Sequence, residues 1–450
     1  MLVQVSLKIE LEASASVTQM EQQIQQAGQE AMREAMKQGV RLWEEQHTAC
    51  PHCGAREARL EGTSRRIIAT LFGRVQVQRR RFRCQKCQQR CTPANRLLAE
   101  LAGARMSGPL QEAAVLAGCR LPLSGSRSPV EEAEWGERLS AEEIRLLTNQ
   151  GGKQRAKEQQ QSAERVCASL PISPESVAAQ ADTEPRLLGL DGGWTCSREQ
   201  RGGMEGKVAV LCSRLQDLPM QEIDPSKWNW MHPPPRHLPK QRHRLLKRRY
   251  VATFAASKQI GQLAKAAASE LCEDAGRPVV LLADGADWIK SEQRRHFPQA
   301  TCILDWAHLW REVSHAVRAA AREKELSAPA RDCQLALLRS LLWKGQVDGA
   351  LAALEPLALG LSGPAAKAVK EAITYLSNQR GWIGSYQDWR KQGYPVGSGM
   401  IERAVAIVIN RRMKKRGMRW CRPNATAVVA LRTDLLNDDW ILPQRLRVFP

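Results

Sequence analysis

Two short apolar segments of the chain each run directly into an aspartate. Residues 187–190 precede Asp191, and residues 279–283 precede Asp284. Short apolar runs bounded by turn residues are typical of buried strands. If the two strands are neighbours in one sheet, their carboxylates lie close together and repel each other unless a metal ion joins them. The repeated arrangement therefore predicts a sheet that presents ligands for a divalent metal.

Each aspartate also has a purely structural interpretation. Asp191 and Gly192 form the Asp-Gly pair that favours a hairpin turn between apolar runs. Asp284 can instead act as a turn residue or as the N-cap of a helix that contains Trp288. Asp287 is a rival to Asp284 as a ligand, although it falls three residues further on, inside a predicted helical turn. The sequence leaves these alternatives open.

Strands and helices alternate in the second half of the chain, and this pattern is typical of a mixed α/β sheet. The apolar runs predict strands at 187–190, 208–211, 250–254, 279–283 and 301–304, and helical patterns predict helices at 258–274, 288–296 and 306–325. Residues 326–390 are also predicted to be helical. A last helix is predicted from Gly399 to Met413, after a Pro-Val-Gly-Ser segment that breaks regular structure.

A third carboxylate, Glu402, falls in the first turn of this last helix, where the helix dipole favours an anion. Residues 403–422 contain eight Lys and Arg residues and no acid. An acid in front of a basic helix suits an enzyme that binds Mg²⁺ or Mn²⁺ through carboxylates and DNA phosphates through cations. The predicted DNA contacts here are Arg411, Arg412, Lys414, Lys415 and Arg419. Trp420 is predicted to fill the core, with stacking on a nucleobase as the alternative.

The charge balance points to the same kind of partner. The 450-residue chain has 67 Lys and Arg against 47 Asp and Glu, a formal net charge of +20, which favours an anionic polymer as partner. No apolar run approaches the roughly 18 residues needed to span a bilayer, and the N-terminus lacks the order of a signal peptide. Thirteen scattered cysteines suit reduced thiols better than a disulfide framework. We therefore expect a soluble, cytoplasmic protein without a membrane partner.

Four cysteines stand in two Cys-x-x-Cys pairs, Cys50 with Cys53 and Cys84 with Cys87. Each pair can turn tightly enough to place two thiolates on one face of a tetrahedral zinc ion. The segment between the pairs has the pattern of a hairpin, and it is longer than the commoner spacing for such sites. The sequence predicts a zinc ribbon with structural Zn²⁺. Cys91 and His52 are nearby substitutes as ligands, and a redox pair or unligated thiols are the alternatives.

The second arm of the predicted hairpin is strongly basic. Between residues 74 and 90 it has seven cations and no acid: Arg74, Arg79, Arg80, Arg81, Arg83, Lys86 and Arg90. Such a stripe suits phosphates, and we expect Arg79 and Arg81 to contact DNA. A merely solvated basic face is the alternative.

These patterns divide the chain into six segments. They are an N-terminal strand and helix (1–48, with the helix from Val17 to Glu45), the zinc ribbon (49–95), a helical DNA-binding or linker region (96–180), the first part of a catalytic core (185–305), a helical insertion (306–395), and the last core helix with a basic C-terminal region (396–450). Residues 121–129 and 215–244 are predicted to be loops. The polar run at 153–161 is predicted to be a solvated helix or linker.

Several motifs resemble, in order and spacing, the bacterial insertion-sequence transposases of the Kra family, relatives of the Mutator-like group. These motifs are LLGLDGGW (187–194), MEGKVAVL (204–211), RRYVATF (248–254), LADGADWI (282–289), FPQATCILDWAHLWREV (297–313) and GSGMIERAV (397–405). The resemblance covers the ribbon and almost everything from about residue 140 onward. It implies a ribonuclease-H-like core whose Asp191, Asp284 and Glu402 form a DDE triad that binds Mg²⁺ or Mn²⁺.

The resemblance also implies where the parts lie. Asp191 is expected after the first core strand, Asp284 after the fourth, and Glu402 on the last core helix, beyond the helical insertion. Asp305 and His308 match a motif that lies beside the site in this family, which implies a supporting role; a helix cap and a buried histidine are the alternative. Residues 120–136 depart from the family, because they lack the helix-turn-helix pattern expected of a domain that reads terminal repeats.

Three functions follow as hypotheses. The first is a DNA transposase that cleaves transposon ends and transfers them into target DNA, as a dimer or higher oligomer on the bacterial nucleoid. The second is a zinc-ribbon DNA-binding protein whose catalysis has decayed. The third is an actin-like kinase or ATPase in which the Asp-Gly-Gly segment cradles phosphate, but that fold predicts neither the ribbon nor the basic C-terminal helix.

Overall fold

The computed structural model of the protein describes residues 2–101, 105–121, 139–169, 186–217, 243–271 and 278–440. The chain divides into two compact units, one of Met1–Gln154 with Asp439–Pro450 and one of Arg155–Asp438. Residues 122–136, which hold most of the predicted loop at 121–129 and of the irregular stretch at 120–136, and most of the predicted loop at 215–244 lie outside the described residues. No helix in the described ranges is both long enough and apolar enough to cross a bilayer.

The first unit contains a long helix followed by a small sheet. Its elements are α1 (Val17–Gln46), β1 (Ala58–Thr70), β2 (Gly73–Cys84), β3 (Arg90–Cys91), α2 (Ala94–Leu97), a 3-10 turn (Leu98–Leu101) and α3 (Gly108–Arg120). β1 and β2 form an antiparallel hairpin, and β3 pairs with the far end of β2. The predicted N-terminal helix and the predicted hairpin are both present.

Local chemistry explains the start of α1 and its packing. Ser16 and Gln19 form a capping box at the first turn, which satisfies two backbone N–H groups that the helix leaves without partners. Near its other end, Val40 packs against Ile68 and Val75 of the hairpin. The alternation of apolar and polar residues in β2 therefore buries one face of the ribbon against the helix.

Helix α4 (Ala141–Ser169) contains the polar run that the sequence predicts to be solvated. The structure differs for part of this run. Arg155 forms an ion pair with the buried Asp434, and the amide of Gln159 donates to Asp434 Oδ1 over 2.7 Å. These side chains are fixed by contacts with a distant segment, so the run at 153–161 is neither a free linker nor a fully solvated helix.

The second unit contains a five-stranded mixed sheet. Its strands are β4 (Arg186–Thr195), β5 (Met204–Asp217), β6 (His243–Thr253), β7 (Val279–Ala283) and β8 (Thr301–Leu304), in the order β6-β5-β4-β7-β8. β5 is antiparallel to both of its neighbours, whereas β4, β7 and β8 are mutually parallel. The predicted mixed α/β architecture is confirmed, and β7 and β8 have the predicted bounds.

Helices cover both faces of this sheet. They are α5 (Ser257–Glu270), α6 (Asp287–His296), α7 (Trp306–Glu323), α8 (Ala328–Trp343), α9 (Val347–Ala358), α10 (Gly363–Gln379), α11 (Tyr386–Lys391), α12 (Gly399–Val405), α13 (Arg411–Met413) and α14 (Arg422–Leu436). Leu188 and Leu190 of β4 point into one core, and Val208 and Val210 of β5 point into the other. α5 to α11 contribute to the first core, and α12 and α14 to the second.

Several elements differ from the predictions. The described residues 2–16 form no strand, and β5 and β6 include residues 215–217 and 243–244 of the predicted loop. β4 does not end at Asp191 but continues four residues beyond it. The last helix spans the predicted Gly399–Met413, yet a π-helical segment (Ala406–Asn410) separates α12 from α13. α14 was not predicted, although a proline in its first turn is typical of a helix N-terminus.

Candidate functional site

The pairing of β4 with β7 brings the two aspartates to the same edge of the sheet. The parallel register aligns Gly189 with Leu282, so Asp191 and Asp284 each follow the last aligned pair by two residues. Neighbouring strands lie about 4.8 Å apart, and alternate residues of a strand face the same side. The register therefore places Asp191 and Asp284 at equivalent positions of neighbouring strands.

The hairpin interpretation of Asp191 is wrong. Gly192 and Gly193 continue β4, and Asp191 lies opposite Val208 in an unbroken antiparallel pairing with β5. Asp191 thus sits where β4 loses its pairing with β7 but keeps its pairing with β5. A strand held on one side and open on the other gives the carboxylate a rigid base next to an accessible edge.

Two glycines of β4 allow α12 to pack directly on the strand. A Cβ atom at Gly189 would lie 2.9 Å from Ile401 Cβ, and one at Gly193 would lie 2.8 Å from Val405 Cγ1. Gly189, Asp191 and Gly193 share one face of the strand, so the first turns of α12 cover the position of Asp191. Glu402 follows Ile401 on this helix and is exposed, and its charge acts on Asp191.

Electrostatics confirm that these acids influence one another. The pKa of Asp191 is raised from its ordinary value of 3.8 to about 6, chiefly by burial and also by the charges of Asp284 and Glu402. A hydrogen bond of 2.6 Å from the Gly192 N–H and the charge of His308 oppose this shift. Asp191 is therefore a partly buried carboxyl that gains from any nearby cation.

Asp305 and His308 lie beside this group of acids. Asp305 is fully buried and caps α7, because its Oδ1 accepts from the backbone N–H of His308 (2.6 Å) and from His308 Nδ1 (2.7 Å). Although burial alone would raise the pKa of Asp305, these bonds and one from the Ser398 N–H lower it. Asp305, in turn, raises the pKa of His308. The helix-cap alternative for Asp305 is thus real, but the residue does more than cap.

Asp305 also connects three segments of the site. Its backbone N–H donates to Ala283 O over 2.8 Å, at the end of β7. Its other carboxylate oxygen accepts from the backbone N–H of Ser398, and Ser398 Oγ donates to Glu402 Oε1 over 2.7 Å. A chain of hydrogen bonds therefore runs from the strand that carries Asp284 to the helix that carries Glu402.

Two residues of α10 hold the loop after β7, and sequence reasoning missed both. Gln379 Nε2 donates to Gly285 O over 2.9 Å, and the hydroxyl of Tyr375 reaches Asp284 O at 3.5 Å. Gly285 has a φ of +81°, and a Cβ atom there would lie 2.4 Å from Gln379 Oε1. Only glycine fits this turn beneath the insertion helix. No local motif marks these contacts, since they join segments about 90 positions apart.

The structure shows where both acids of this loop lie. Asp284 Oδ1 accepts from the Ala286 N–H over 3.0 Å, so it forms a local turn, but Ala286 rather than Asp284 is the N-cap of α6. Asp287 is exposed in the first turn of α6. None of the contacts described above involves Asp287.

The basic segment after α12 is mostly solvent-exposed. Arg411, Lys414, Lys415 and Arg419 are exposed, as the prediction of DNA contacts requires. Arg412 is different: it is 2% exposed, and its guanidinium lies 5.1 Å from the ring centre of Trp420. A buried guanidinium engaged with an aromatic ring cannot reach a phosphate, so the DNA-contact prediction for Arg412 is wrong. Trp420 packs against the second core, as predicted.

The four predicted zinc ligands lie together in the first unit. Cys50 Sγ is 3.7 Å from Cys87 Sγ, and Cys53 Sγ is 3.6 Å from Cys84 Sγ. A tetrahedral Zn–S site with bonds of about 2.3 Å has sulfur separations of roughly 3.8 Å. Within the described ranges, these cysteines are the one group of metal-ligand side chains whose donor atoms all lie within 4.8 Å of one another. The cluster can bind a structural zinc, and neither Cys91 nor His52 belongs to it.

The two cysteine turns have the same construction. The residue after each pair, Gly54 or Gln88, has a left-handed φ, and its N–H donates to the carbonyl of the first cysteine of that pair. Within the turn, the backbone N–H of Cys87 faces the sulfur of Cys84 and lowers its pKa to about 7. Such N–H donors favour thiolates, the form that zinc requires.

The basic stripe of the hairpin is partly neutralised. Arg80 pairs with Glu44 and Glu45 of α1, and Glu61 of β1 pairs with Arg83 and Arg90. Three of the seven cations of the predicted stripe therefore have acidic partners in the structure. Among the two predicted DNA contacts, Arg81 is exposed, whereas Arg79 is half-buried and donates to Asn95 over 2.9 Å.

Comparison with known proteins gives a family of undefined function. Residues 232–437 match the model of an uncharacterised protein family (UPF0236). The match includes β7, β8, the helical insertion and α12, and hence Asp284 and Glu402. It does not reach the zinc ribbon or Asp191. No curated protein matches the chain.

Proposed function

We propose that this protein is a DNA transposase that cleaves transposon ends and transfers the freed strands into target DNA. The observation that carries the proposal is the convergence of Asp191, Asp284 and Glu402. They come from three separate segments of the chain and meet at one edge of the sheet beneath α12. In the same unit, an exposed basic segment follows that helix.

The strand arrangement supports a ribonuclease-H-like core. Numbered by their order along the chain, the five strands of the sheet stand in the order 3-2-1-4-5, and the second strand is antiparallel to its neighbours. The first acid lies on the first strand, the second acid follows the fourth, and the third lies on a helix after a helical insertion. This is the arrangement that the resemblance to the Kra family implies.

The three carboxylates would hold Mg²⁺ or Mn²⁺. Oxygen ligands of this kind suit both ions, and the mutual repulsion that raises the pKa of Asp191 is relieved by a cation. When bound, the metal would supply activation of the attacking oxygen and stabilisation of the leaving oxygen of a phosphodiester. The acids are more widely spaced than the zinc ligands, so binding would draw them together.

The protein's own residues would prepare this site. Asp305 and Ser398 would orient Glu402, while Gln379 fixes the loop that carries Asp284. The exposed cations of the basic segment would hold the DNA backbone near the acids. Two transposon ends must meet for strand transfer, so the active form would be a dimer or higher oligomer on DNA.

Cleavage of a labelled duplex that carries the element ends tests the proposal. We expect nicking with Mg²⁺ or Mn²⁺ and none when neither ion is added. Asp191→Asn, Asp284→Asn and Glu402→Gln should each lower the rate by more than the roughly 10- to 100-fold cost of losing an outer-shell partner. Asp287→Asn is the matched control, because it removes an exposed acid three residues from Asp284. Equal nicking by the wild type and Asp284→Asn would contradict the proposal.

The second candidate is a DNA-binding protein that lacks catalysis. In its favour, the ligand atoms of the four cysteines all lie within 4.8 Å of one another, whereas those of the three acids do not, so the acids are less ready to bind a metal ion. This candidate predicts tight, salt-sensitive DNA binding with no nicking under any metal condition. The same experiment therefore separates the two functions.

A further inference from the structure

The second half of β4 continues past the acids and forms one wall of a groove. The groove has a volume of about 620 Å³. Its walls are formed by the last two residues of β4 together with Cys196, by the turn at Gly202 and Gly203, and by residues 413–419. The hydrogen bonds described above around Asp284, Asp305 and Glu402 do not involve these residues. The groove and the three acids belong to the same unit.

The basic wall of the groove is fixed at both ends. We call residues 414–419 the basic arch. Before the arch, Thr195 Oγ1 donates to Met413 O over 3.3 Å. After it, the backbone N–H of Trp420 donates to Cys196 O (3.0 Å), and the backbone N–H of Arg198 donates to Trp420 O (2.8 Å). The arch is thus a defined loop tied to β4, which gives its cations a fixed place above the strand.

The cations of the arch face solvent without acidic partners. Lys414, Lys415, Arg416 and Arg419 are all exposed. No acidic side chain in the described ranges forms an ion pair with any of them. Four cations without acidic partners around one groove favour an anionic ligand, because such a ligand relieves the repulsion between them.

Trp194 supplies a second, different feature of the groove. Its side chain is 56% exposed, which makes it the most exposed tryptophan in the described part of the chain. The turn beside it is tight, because a Cβ atom at Gly203, where φ is +98°, would lie 2.7 Å from Thr195 O and 3.8 Å from the Trp194 ring. Trp420, by contrast, is half-buried, and its ring is occupied by Arg412. An open indole on a rigid strand among unpaired cations fits a ligand that has both phosphates and flat rings.

We propose that Trp194 and the basic arch bind unpaired nucleotides, with one base stacked on Trp194 and the adjoining phosphates on the arch. A base in a duplex is already stacked and paired, so the indole is accessible only to a base that has left the helix. Trp194 lies three residues, or about 10 Å, along the strand from Asp191, and this odd separation places the two side chains on opposite faces of β4. The inference rests on the proposed function in one respect: the unpaired bases would be those close to the cleaved phosphate.

Binding to single strands tests this groove without any cleavage. The full-length protein is titrated without added Mg²⁺ or Mn²⁺ into a labelled thymidine oligonucleotide, an abasic strand of the same length, and the corresponding duplex, with fluorescence anisotropy as the readout. We expect Trp194→Ala to weaken binding of the thymidine strand roughly 5- to 150-fold, which is the range for loss of one stacked base. Binding of the abasic strand should hardly change, because it offers no base to stack.

Three variants separate stacking from charge and from misfolding. Trp194→Phe retains a ring and should keep most of the preference for bases. Leu359→Ala removes another exposed apolar side chain of the same unit and should leave all three affinities unchanged. The double variant Lys415→Ala with Arg416→Ala should weaken binding of both single strands and reduce the salt dependence of log K by roughly 1 to 1.5.

The proposal is overturned if Trp194→Ala leaves the thymidine strand unaffected or weakens the abasic strand equally. Its failure is distinct from failure of the transposase proposal. A protein that nicks DNA but shows no base preference at Trp194 keeps the proposed function and loses the groove. A protein that never nicks DNA but loses its base preference in Trp194→Ala keeps the groove and loses the proposed reaction.

Discussion

Ser398 Oγ donates a hydrogen bond to Glu402 Oε1 over 2.7 Å, one turn ahead of it at the start of α12. The backbone N–H of the same serine donates to the buried carboxylate of Asp305. Glu402 itself is exposed, so its direction depends on this contact rather than on packing. Ser398 therefore connects the buried Asp305, next to the end of β8, to the exposed Glu402.

Replacement of Ser398 by alanine should lower the rate of metal-dependent nicking by roughly 10- to 100-fold, the usual effect of losing an outer-shell partner of a metal ligand. The fold should persist, because the backbone contact with Asp305 remains. Single-turnover cleavage and a thermal melt measure the two effects. Ser385→Ala is the matched control: Ser385 caps α11, so its loss should cost about 1 kcal/mol of stability without changing the cleavage rate. Equal rates for Ser398→Ala and the wild type would show that Glu402 needs no such support.

Gly193→Ala should displace α12 from β4. The new methyl group would lie 2.8 Å from Val405 Cγ1 and 3.0 Å from Ile409 Cδ1. Overpacking of this kind costs about 1–3 kcal/mol, and any shift of the helix moves Glu402 away from Asp191. Urea unfolding and cleavage rates measure the result. Gly381→Ala is the control, because nothing lies within 4 Å of the added atom, and a similar loss of activity there would remove the argument from close packing.

The sequence predicted the strands next to the two aspartates, but it did not predict how far β4 extends. β7 and β8 have the predicted bounds, because each is a short apolar run with clear ends. β4 is longer than predicted, because its Asp-Gly-Gly segment favours a turn locally. Residues 191–195 of β4 pair with β5, and this pairing overrides the local preference for a turn. The strand extension is a tertiary effect, and it creates the wall of the groove that contains Trp194.

Side-chain partners from distant segments were the least predictable part. The arginines of the ribbon appear unpaired within their own segment, yet Glu44 and Glu61 neutralise several of them. The π-helical turn after α12 has a similar origin: the buried Arg432 of α14 donates to the carbonyls of Ile407 and Val408. Patterns within a window of sequence report periodicity and charge, but they do not report which distant residue completes a contact.

Asp191 should make stability depend on pH in a specific direction. Its pKa is about 6 in the folded protein, against an ordinary value of 3.8, so the folded state holds the proton more tightly than the unfolded state. Its contribution to stability is therefore full below about pH 4 and is lost as the pH rises through about 6. Asp191→Asn should then raise the free energy of unfolding at pH 7.5 by about 1–3 kcal/mol and have little effect at pH 4.

Thermal melts of the wild type and Asp191→Asn across this pH range, without added divalent metal, measure the difference, and the comparison removes the contribution of the other titrating groups. Addition of Mn²⁺ at pH 7.5 should raise the melting temperature of the wild type and leave Asp191→Asn nearly unchanged, because the variant lacks a charged ligand. Asp287→Asn should behave as the wild type in both experiments. A difference between wild type and Asp191→Asn that is constant with pH would contradict the raised pKa.

The four-cysteine cluster should hold one zinc ion per chain, and the loss of any ligand should abolish it. Cys84→Ser removes a thiolate whose pKa is already lowered to about 7, so we expect the zinc content to fall from about one to near zero. The ribbon should then unfold, since structural zinc supplies folding free energy directly. Elemental analysis and limited proteolysis of the first unit measure both effects. Cys91→Ser is the control, because Cys91 is buried nearby but lies outside the cluster. Loss of zinc in Cys91→Ser with retention in Cys84→Ser would mean that the ligand set is different from the one described here.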